Sequence, residues 1–202
     1  MARLPLEGIR VTDFTQLVAG PYDTQLLAMM GAEVIKIESR RRPDAMRRAT
    51  TGADGVAGLN RSGGFNAVNY AKKSCTLDLT KPTGVELAKE IIKLSDVVVE
   101  NYGARTMTSF GLDYPVLKEL KPDIIMLSNS VLGRKGPKGH YLGYFSGADA
   151  YSGTASLTGY LGGPPTFIGA AFSDWRAGTN GAFAILVALY HRSKTGEGQY
   201  ID

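Results

Sequence analysis

The 202 residues are 44% hydrophobic and 21% charged, a balance that suits one compact globular domain and excludes a disordered tail. No run of about eighteen apolar residues occurs, and the first ten residues lack the charged head, apolar stretch and small-residue cleavage site of an export signal, so the reading is a soluble, cytoplasmic chain. One cysteine, Cys75, and two histidines exclude an internal disulfide and a Cys/His zinc cluster, while a net charge of +4 is small for a nucleic-acid binder and suits a phosphorylated small ligand.

Gly8 to Phe14 reads as a strand, Ala19-Gly20-Pro21 opens a helix through Met30, and Gly31 closes it. The β-branched run from Ala32 to Glu38 follows directly, so strand, helix and strand form a unit whose two strands pair in parallel through a right-handed crossover. From Ser39 to Gly64 the pattern gives way to arginine, glycine and serine, the composition of a long surface loop. Cys75 to Leu79 is expected as the next strand, followed by a helix whose apolar face is Val85, Leu87, Ile91, Ile92 and Leu94, and by the strand Asp96 to Glu100. Short helices over Arg105 to Phe110 and Tyr114 to Leu120 lead to a buried strand at Asp123 to Ser128.

Beyond the basic turn Gly133 to Pro137, the small residues of Gly147 to Leu157 predict a helix, and Asp174 stands just before a stronger one, Trp175 to Arg192. Gly196-Glu197-Gly198 stops that helix, and Gln199 to Asp202 starts a strand, which leads to the expectation that the fold continues in a further portion of chain. The repeated β, α, β rhythm predicts an α/β class: a Rossmann-like, mostly parallel sheet flanked by helices, in a single domain over 1–202. Glycine, at 25 residues, exceeds the usual share of about 7%, as tight turns between alternating elements require.

Standard nucleotide motifs are absent: no G-x-G-x-x-G follows the first strand, and no G-x-x-x-x-G-K-[ST] occurs. A G-x-S-x-G elbow is also missing, so dehydrogenase, P-loop and serine-hydrolase readings fall away. What the chain does carry is an ordered set: Asp13-Phe14 before Ala19-Gly20-Pro21, Gly31 to Glu38, Lys72-Lys73-Ser74 before Leu77-Asp78-Leu79, Val99 to Tyr102, Gly162 to Pro165, and Thr195 to Gln199. With these motifs in this order the sequence resembles the family III CoA-transferases, the group of formyl-CoA and carnitine CoA-transferases that also includes α-methylacyl-CoA racemase.

The resemblance covers essentially all 202 residues and implies the N-terminal part of the family's large domain, the C-terminal half being absent. It implies coenzyme A as co-substrate, no metal, and acyl-CoA and carboxylic acid substrates. It also implies a homodimer or a partner chain supplying the missing half, and neither nucleic acid nor membrane as partner. The stretch Gly169-Ala170-Ala171-Phe172-Ser173-Asp174-Trp175-Arg176-Ala177-Gly178 matches the family's nucleophile segment, so the resemblance implies Asp174 as the catalytic carboxylate, passing through a mixed anhydride and an aspartyl-CoA thioester. The same residue has a second reading as an ordinary helix N-cap. For CoA the resemblance implies Gln16, Leu17, Val18 and Ala19, then Arg40, then Leu77 with Lys72 and Lys73, then Asn101, Tyr102 and Arg105. Lys72 and Lys73 have a structural alternative as protectors of a sheet edge, and the arginines of the 39–64 loop one as a solvated surface.

Two other functions stand beside the transferase. An acyl-CoA racemase on the same scaffold needs a histidine where this chain has Gly143-Tyr144-Phe145, unless His140, a few residues away, takes that place. A non-catalytic CoA-binding subunit of a heteromer fits the short length.

Overall fold

The computed structural model describes residues 3–49, 51–52, 54–169 and 171–202. Six strands, β1 (Arg10–Asp13), β2 (Glu33–Glu38), β3 (Lys73–Thr76), β4 (Val97–Glu100), β5 (Ile125–Ser128) and β6 (Tyr200–Ile201), form one sheet in the order β3-β2-β1-β4-β5-β6. Every neighbouring pair is parallel, with Val11 opposite Val34 on one side and Val97 on the other. The order turns back between β1 and β4. At that reversal the loops leaving the two strands diverge to opposite sides, opening a crevice beyond the strands' carboxyl ends.

Period-two alternation divides the core into two layers. On one face Val11, Val97, Val99, Ile125 and Leu127 meet α1 (Ala19–Met29) and α7 (Phe172–Thr195), through Leu27, Ala28, Ala182, Ile185 and Ala188. On the other, Phe14, Ile37, Val98, Ile124 and Met126 meet α3 (Pro82–Lys93), α4 (Thr106–Phe110) and α5 (Tyr114–Leu120), through Ala88, Ile92, Met107 and Leu117. Strands covered on both faces need near-continuous apolar sequence, which is why Val97-Val98-Val99 is fully buried. The α1–α7 packing depends on a missing side chain. A Cβ at Gly178 would fall 2.7 Å from the Ala19 carbonyl oxygen and 2.9 Å from the Tyr22 ring, closer than any packing tolerates.

Three sequence expectations are corrected. β3 covers Lys73–Thr76 rather than Cys75 to Leu79, because its register against β2 ends at Glu38 opposite Thr76, where β2 itself ends. The helix expected over Gly147 to Leu157 is α6 (Phe145–Tyr151) followed by a 3₁₀ turn at Thr154–Leu157, interrupted where Gly153 adopts a φ of 79°. The loop after β2 holds a 3₁₀ turn at Ala45–Arg48, capped by the Asp44 carboxylate, and the short helix α2 (Gly63–Ala67), capped by Ser62. Among the described residues no helix is long and apolar enough to cross a membrane.

Candidate active site

The crevice rests on a buried ionic framework. Asp13 ends β1 fully buried; its Oδ1 accepts from the Thr15 amide at 2.8 Å and from the Thr15 hydroxyl, and its Oδ2 accepts from Thr24 Oγ1 at 2.7 Å and Lys72 Nζ at 3.0 Å. Burial by itself would raise this carboxyl, but Lys72, Lys36 and the two threonine hydroxyls outweigh it and hold the pKa at about 2. Lys36, also buried, donates to the Thr15 carbonyl at 2.6 Å and pairs with Asp44 at 3.2 Å, while Asp44 accepts from the Leu17 amide at 3.1 Å. These contacts fix the β1–α1 turn, where Leu17 has a φ of 68°, a conformation that costs a branched side chain energy and persists only when its surroundings impose it.

The facing turn after β4 is tied in the same way. The Asn101 side chain accepts from the Gln16 amide at 2.8 Å and donates to the Gln16 carbonyl at 2.7 Å, joining the two loops that flank the crevice. Glu100 accepts from the Tyr102 amide at 2.8 Å and pairs with Arg134, so one guanidinium of the basic turn is committed to the scaffold. Burial, then the charges of Asp13 and Glu100, raise the Tyr102 phenol well above its ordinary range against a hydrogen bond from Gln16, and Tyr102 stays neutral at any physiological pH.

Two cavities open beside this framework with Tyr102 as their common wall. The larger, about 790 Å³, lies over the ends of β2 and β3; Arg41 and Arg42 stand at it together with apolar Ile37, Leu77, Leu79 and Phe110. The smaller, about 460 Å³, lies over the ends of β4 and β5 between Leu17, Asn101, Asn129, Tyr144 and the first turn of α7, where Asp174 reaches it. Asp174 is half-buried, and burial together with the nearby charge of Asp149 raises its carboxyl above the ordinary value. The Ser130 hydroxyl in the same wall is buried with no hydrogen-bond partner among the described residues.

The family model described as CoA-transferase family III matches residues 6–202. The chain belongs to CoA-transferase family III. It is 40% identical over 201 residues to the succinyl-CoA–L-malate CoA-transferase alpha subunit of Chloroflexus aurantiacus, covering 99% of this chain and 46% of that protein. With the succinyl-CoA:glutarate CoA-transferase of Mus musculus it shares 39% over 199 residues, 98% of this chain and 44% of the relative. This family III chain thus spans about half the length of the curated relatives it matches. A crystal structure of a CaiB/BaiF family protein from Brucella suis superposes with a TM-score of 0.90 at 34% identity, covering 100% of this chain and 53% of that one.

On the family III chain, the structure places the residues that the resemblance implied in several different situations. Gln16, Leu77 and Tyr102 line the larger cavity, and Leu17, Ala19, Asn101, Tyr102 and Asp174 the smaller. Val18 is the N-cap position of α1 and lines neither cavity. Arg40 lines a separate depression with Arg47 and Thr76, whereas Arg41 and Arg42 line the larger cavity. Arg105 is the exposed N-cap of α4, outside both cavity walls.

Lys72 lines neither cavity: its ammonium is buried and its three donors are engaged by Asp13, the Pro21 carbonyl at 2.7 Å and Asn69 at 3.0 Å. Lys73 starts β3 and pairs with Glu33 at the start of β2, so it sits at the amino end of the strands, opposite the crevice. The N-cap alternative for Asp174 is also corrected, since Asp174 is the third residue of α7 and the cap is Ala171, with no side-chain capping bond. Ala170 of the nucleophile segment lies outside the described residues. His140 is exposed against the Tyr141 ring, and Tyr144 stands in the smaller cavity where the racemase reading needs imidazole.

Sequence reading did not single out Asn129, Ser130 or Asp149. Asn129-Ser130 follows β5 at its carboxyl end, a position that marks the crevice of a parallel sheet once the strand order is known.

Proposed function

We propose that this chain is the nucleophile-bearing half of a cytoplasmic CoA-transferase that moves CoA from an acyl-CoA donor to a carboxylic acid through Asp174. The observation that carries the reading is the placement of Asp174: a half-buried carboxylate in the first turn of α7, facing a cavity that shares a wall with a larger one edged by Arg41 and Arg42. Two exposed guanidiniums beside an apolar trough suit a nucleotide carrying phosphates, and the adjoining cavity suits the thioester end.

Family membership and the names of the relatives support the same chemistry. The Asp174 carboxylate attacks the donor's thioester carbon, the carbon–sulfur bond breaks, and a mixed anhydride forms as the CoA thiolate leaves. The thiolate returns to the Asp174 carbonyl of that anhydride, the donor acid departs as its carboxylate, and an aspartyl thioester remains. An acceptor carboxylate then attacks the aspartyl carbonyl, and the same two exchanges in reverse deliver acyl-CoA and restore the free carboxylate. No proton or electron is consumed overall. The free backbone amides of the first turn of α7 would stabilise the charge that develops on the carbonyl oxygen.

The active protein would assemble with a second copy or with a partner chain. The Chloroflexus aurantiacus relatives named alpha and beta subunits support the latter. The test is the intact mass of the protein after incubation with succinyl-CoA and other short acyl-CoA thioesters. The expected result is a hydroxylamine-sensitive CoA adduct that Asp174→Ala lacks; an adduct that survives this substitution, or none with any donor, refutes the assignment.

A further inference from the structure

We propose that Asp149 is a positioning residue for Asp174, holding the first turn of α7 through Ser173 and setting a second negative charge behind the nucleophile; this rests on the reading of Asp174 given above. Asp149 lies on α6 with only 1% of its surface exposed, and it does not line the cavity. Its Oδ1 accepts a hydrogen bond from the hydroxyl of Ser173, the residue immediately before Asp174. Its Oδ2 is buried with no hydrogen-bond partner among the described residues. An unpartnered buried carboxylate oxygen costs stability, and α6 gains nothing for its own helix by carrying one.

The tether matters because α7 begins without a side-chain cap, at an Ala171 whose φ is 61°. Ser173 to Asp149 is the side-chain hydrogen bond that ties this turn to α6, beside the Tyr22–Trp175 ring contact to α1, and it helps set the direction in which Asp174 leaves the backbone. The charge has a separate effect. The amino end of a helix favours the ionised form of a carboxylate, which weakens it as a nucleophile, since nucleophilicity falls with basicity, as it does for thiols. Burial and Asp149 act the other way and raise the proton affinity of Asp174. The repulsion also vanishes once Asp174 is acylated, because anhydride and thioester are neutral, so the charge of Asp149 favours the acylated state over the free one.

The charge that bears on Asp174 is that of Asp149; Asp23 of α1, fully buried against Gly181 of α7, has its own carboxyl raised well above the ordinary value by burial and by the charge of Asp13. Tyr102, Tyr141 and Tyr144 present phenols from the cavity wall, the Tyr22 ring on α1 meets the edge of Trp175 at 4.8 Å, and Arg176 on α7 lies over the Phe172 ring at 5.5 Å.

The experiment titrates the Asp174 carboxyl by carbon-13 NMR in the full chain, and times the aspartyl adduct by mass, in the unaltered protein, Asp149→Asn and Ser173→Ala. Should the Asp149→Asn protein fail to fold, Ser173→Ala, which removes one part-buried hydroxyl, carries the test. Asp149→Asn keeps an oxygen that accepts from Ser173 and loses the charge, so the Asp174 titration moves to lower pH. Ser173→Ala keeps the charge and loses the tether, so adduct formation slows by about tenfold to a hundredfold. An unmoved titration in Asp149→Asn, or an unchanged rate in Ser173→Ala, overturns the proposal. Failure of the nucleophile assignment reads out differently, as an adduct that persists in Asp174→Ala or never forms, while the NMR titration still reports on Asp149.

Discussion

Replacing Lys72 by Met tests whether the crevice stands on a buried ion pair or uses that lysine to hold a ligand. The ammonium has three acceptors, Asp13 at 3.0 Å, the Pro21 carbonyl at 2.7 Å and Asn69 at 3.0 Å, and its side chain is 2% exposed against 0% for Asp13. Met fills a similar volume, so the cost is chiefly electrostatic. Removing one partner of a buried pair leaves the other charge uncompensated, which costs about 3–5 kcal/mol, a large part of the roughly 5–15 kcal/mol that holds a domain folded. Lys36 remains near Asp13 and keeps the effect toward the lower end of that range.

Urea unfolding followed by circular dichroism should show the midpoint fall by more than 1 M, taking a slope of about 2 kcal/mol per molar. Asp13→Asn combined with Lys72→Met should be less destabilising than the sum of the single changes, because the double variant buries no lone charge. A Lys72→Met protein with the parent's midpoint, but with tenfold weaker CoA binding that has lost part of its salt dependence, would refute the reasoning and return Lys72 to the ligand.

Asn101→Ala removes both hydrogen bonds between the loops, at 2.8 and 2.7 Å, and should cost about 1–3 kcal/mol, with faster hydrogen exchange at the Gln16 amide as the diagnostic. Gly178→Val should lower stability by about 2–3 kcal/mol by forcing α1 and α7 apart, whereas Gly147→Ala on α6, where a Cβ meets nothing within 4 Å, should gain about 0.5–1 kcal/mol; thermal melts compare the two. Acid should unfold the protein through Asp13. Its folded pKa of about 2 lies below the unfolded value of 3.8, so the stabilisation, about 2 kcal/mol, is complete above the unfolded pKa and is lost as pH falls through the folded one. Asp13→Asn should show a flatter stability profile between pH 4 and pH 2 than the parent, on a scale of roughly that size.

The elements that sequence made legible are those with a strong local signal. Val97-Val98-Val99 and Ile124 to Leu127 could only be strands covered on both faces, and the helices α1, α3 and α7 carry apolar stripes bounded by Gly and Pro. β3 was misplaced because Leu77-Asp78-Leu79 alternates as a strand would, while its true end is set by the length of its neighbour β2, a tertiary fact.

The same division runs through the site. Gln16, which the family resemblance implied, and Asn101 and Tyr102, which also close a strand at its carboxyl end in the sequence, line the cavities beside the crevice. Adjacent residues of one type could not be sorted: Lys72 is buried and Lys73 exposed, and Arg41 and Arg42 line the larger cavity while Arg40 lines a separate depression, because the difference lies in what surrounds each side chain in the fold. The ion pairs of Arg134 with Glu100 and of Lys36 with Asp44 join residues far apart in sequence or hidden in a loop, and no local pattern announces them.

The contact between α1 and α7 has a further consequence during synthesis. About 140 residues separate Met29 from Phe172, so a ribosome adding about 5–20 residues per second leaves α1 without its covering helix for roughly seven to thirty seconds. Throughout that interval Leu27 and Ala28 have only the first strands to bury against, and the sheet is coated on the α3 side before the α1 side is closed. The nascent chain is therefore a half-dressed sheet with one greasy face. Its safe passage depends on how long that face waits for α7, which makes slow codons or a stall before residue 172 a sharper hazard than the same delay earlier in the chain.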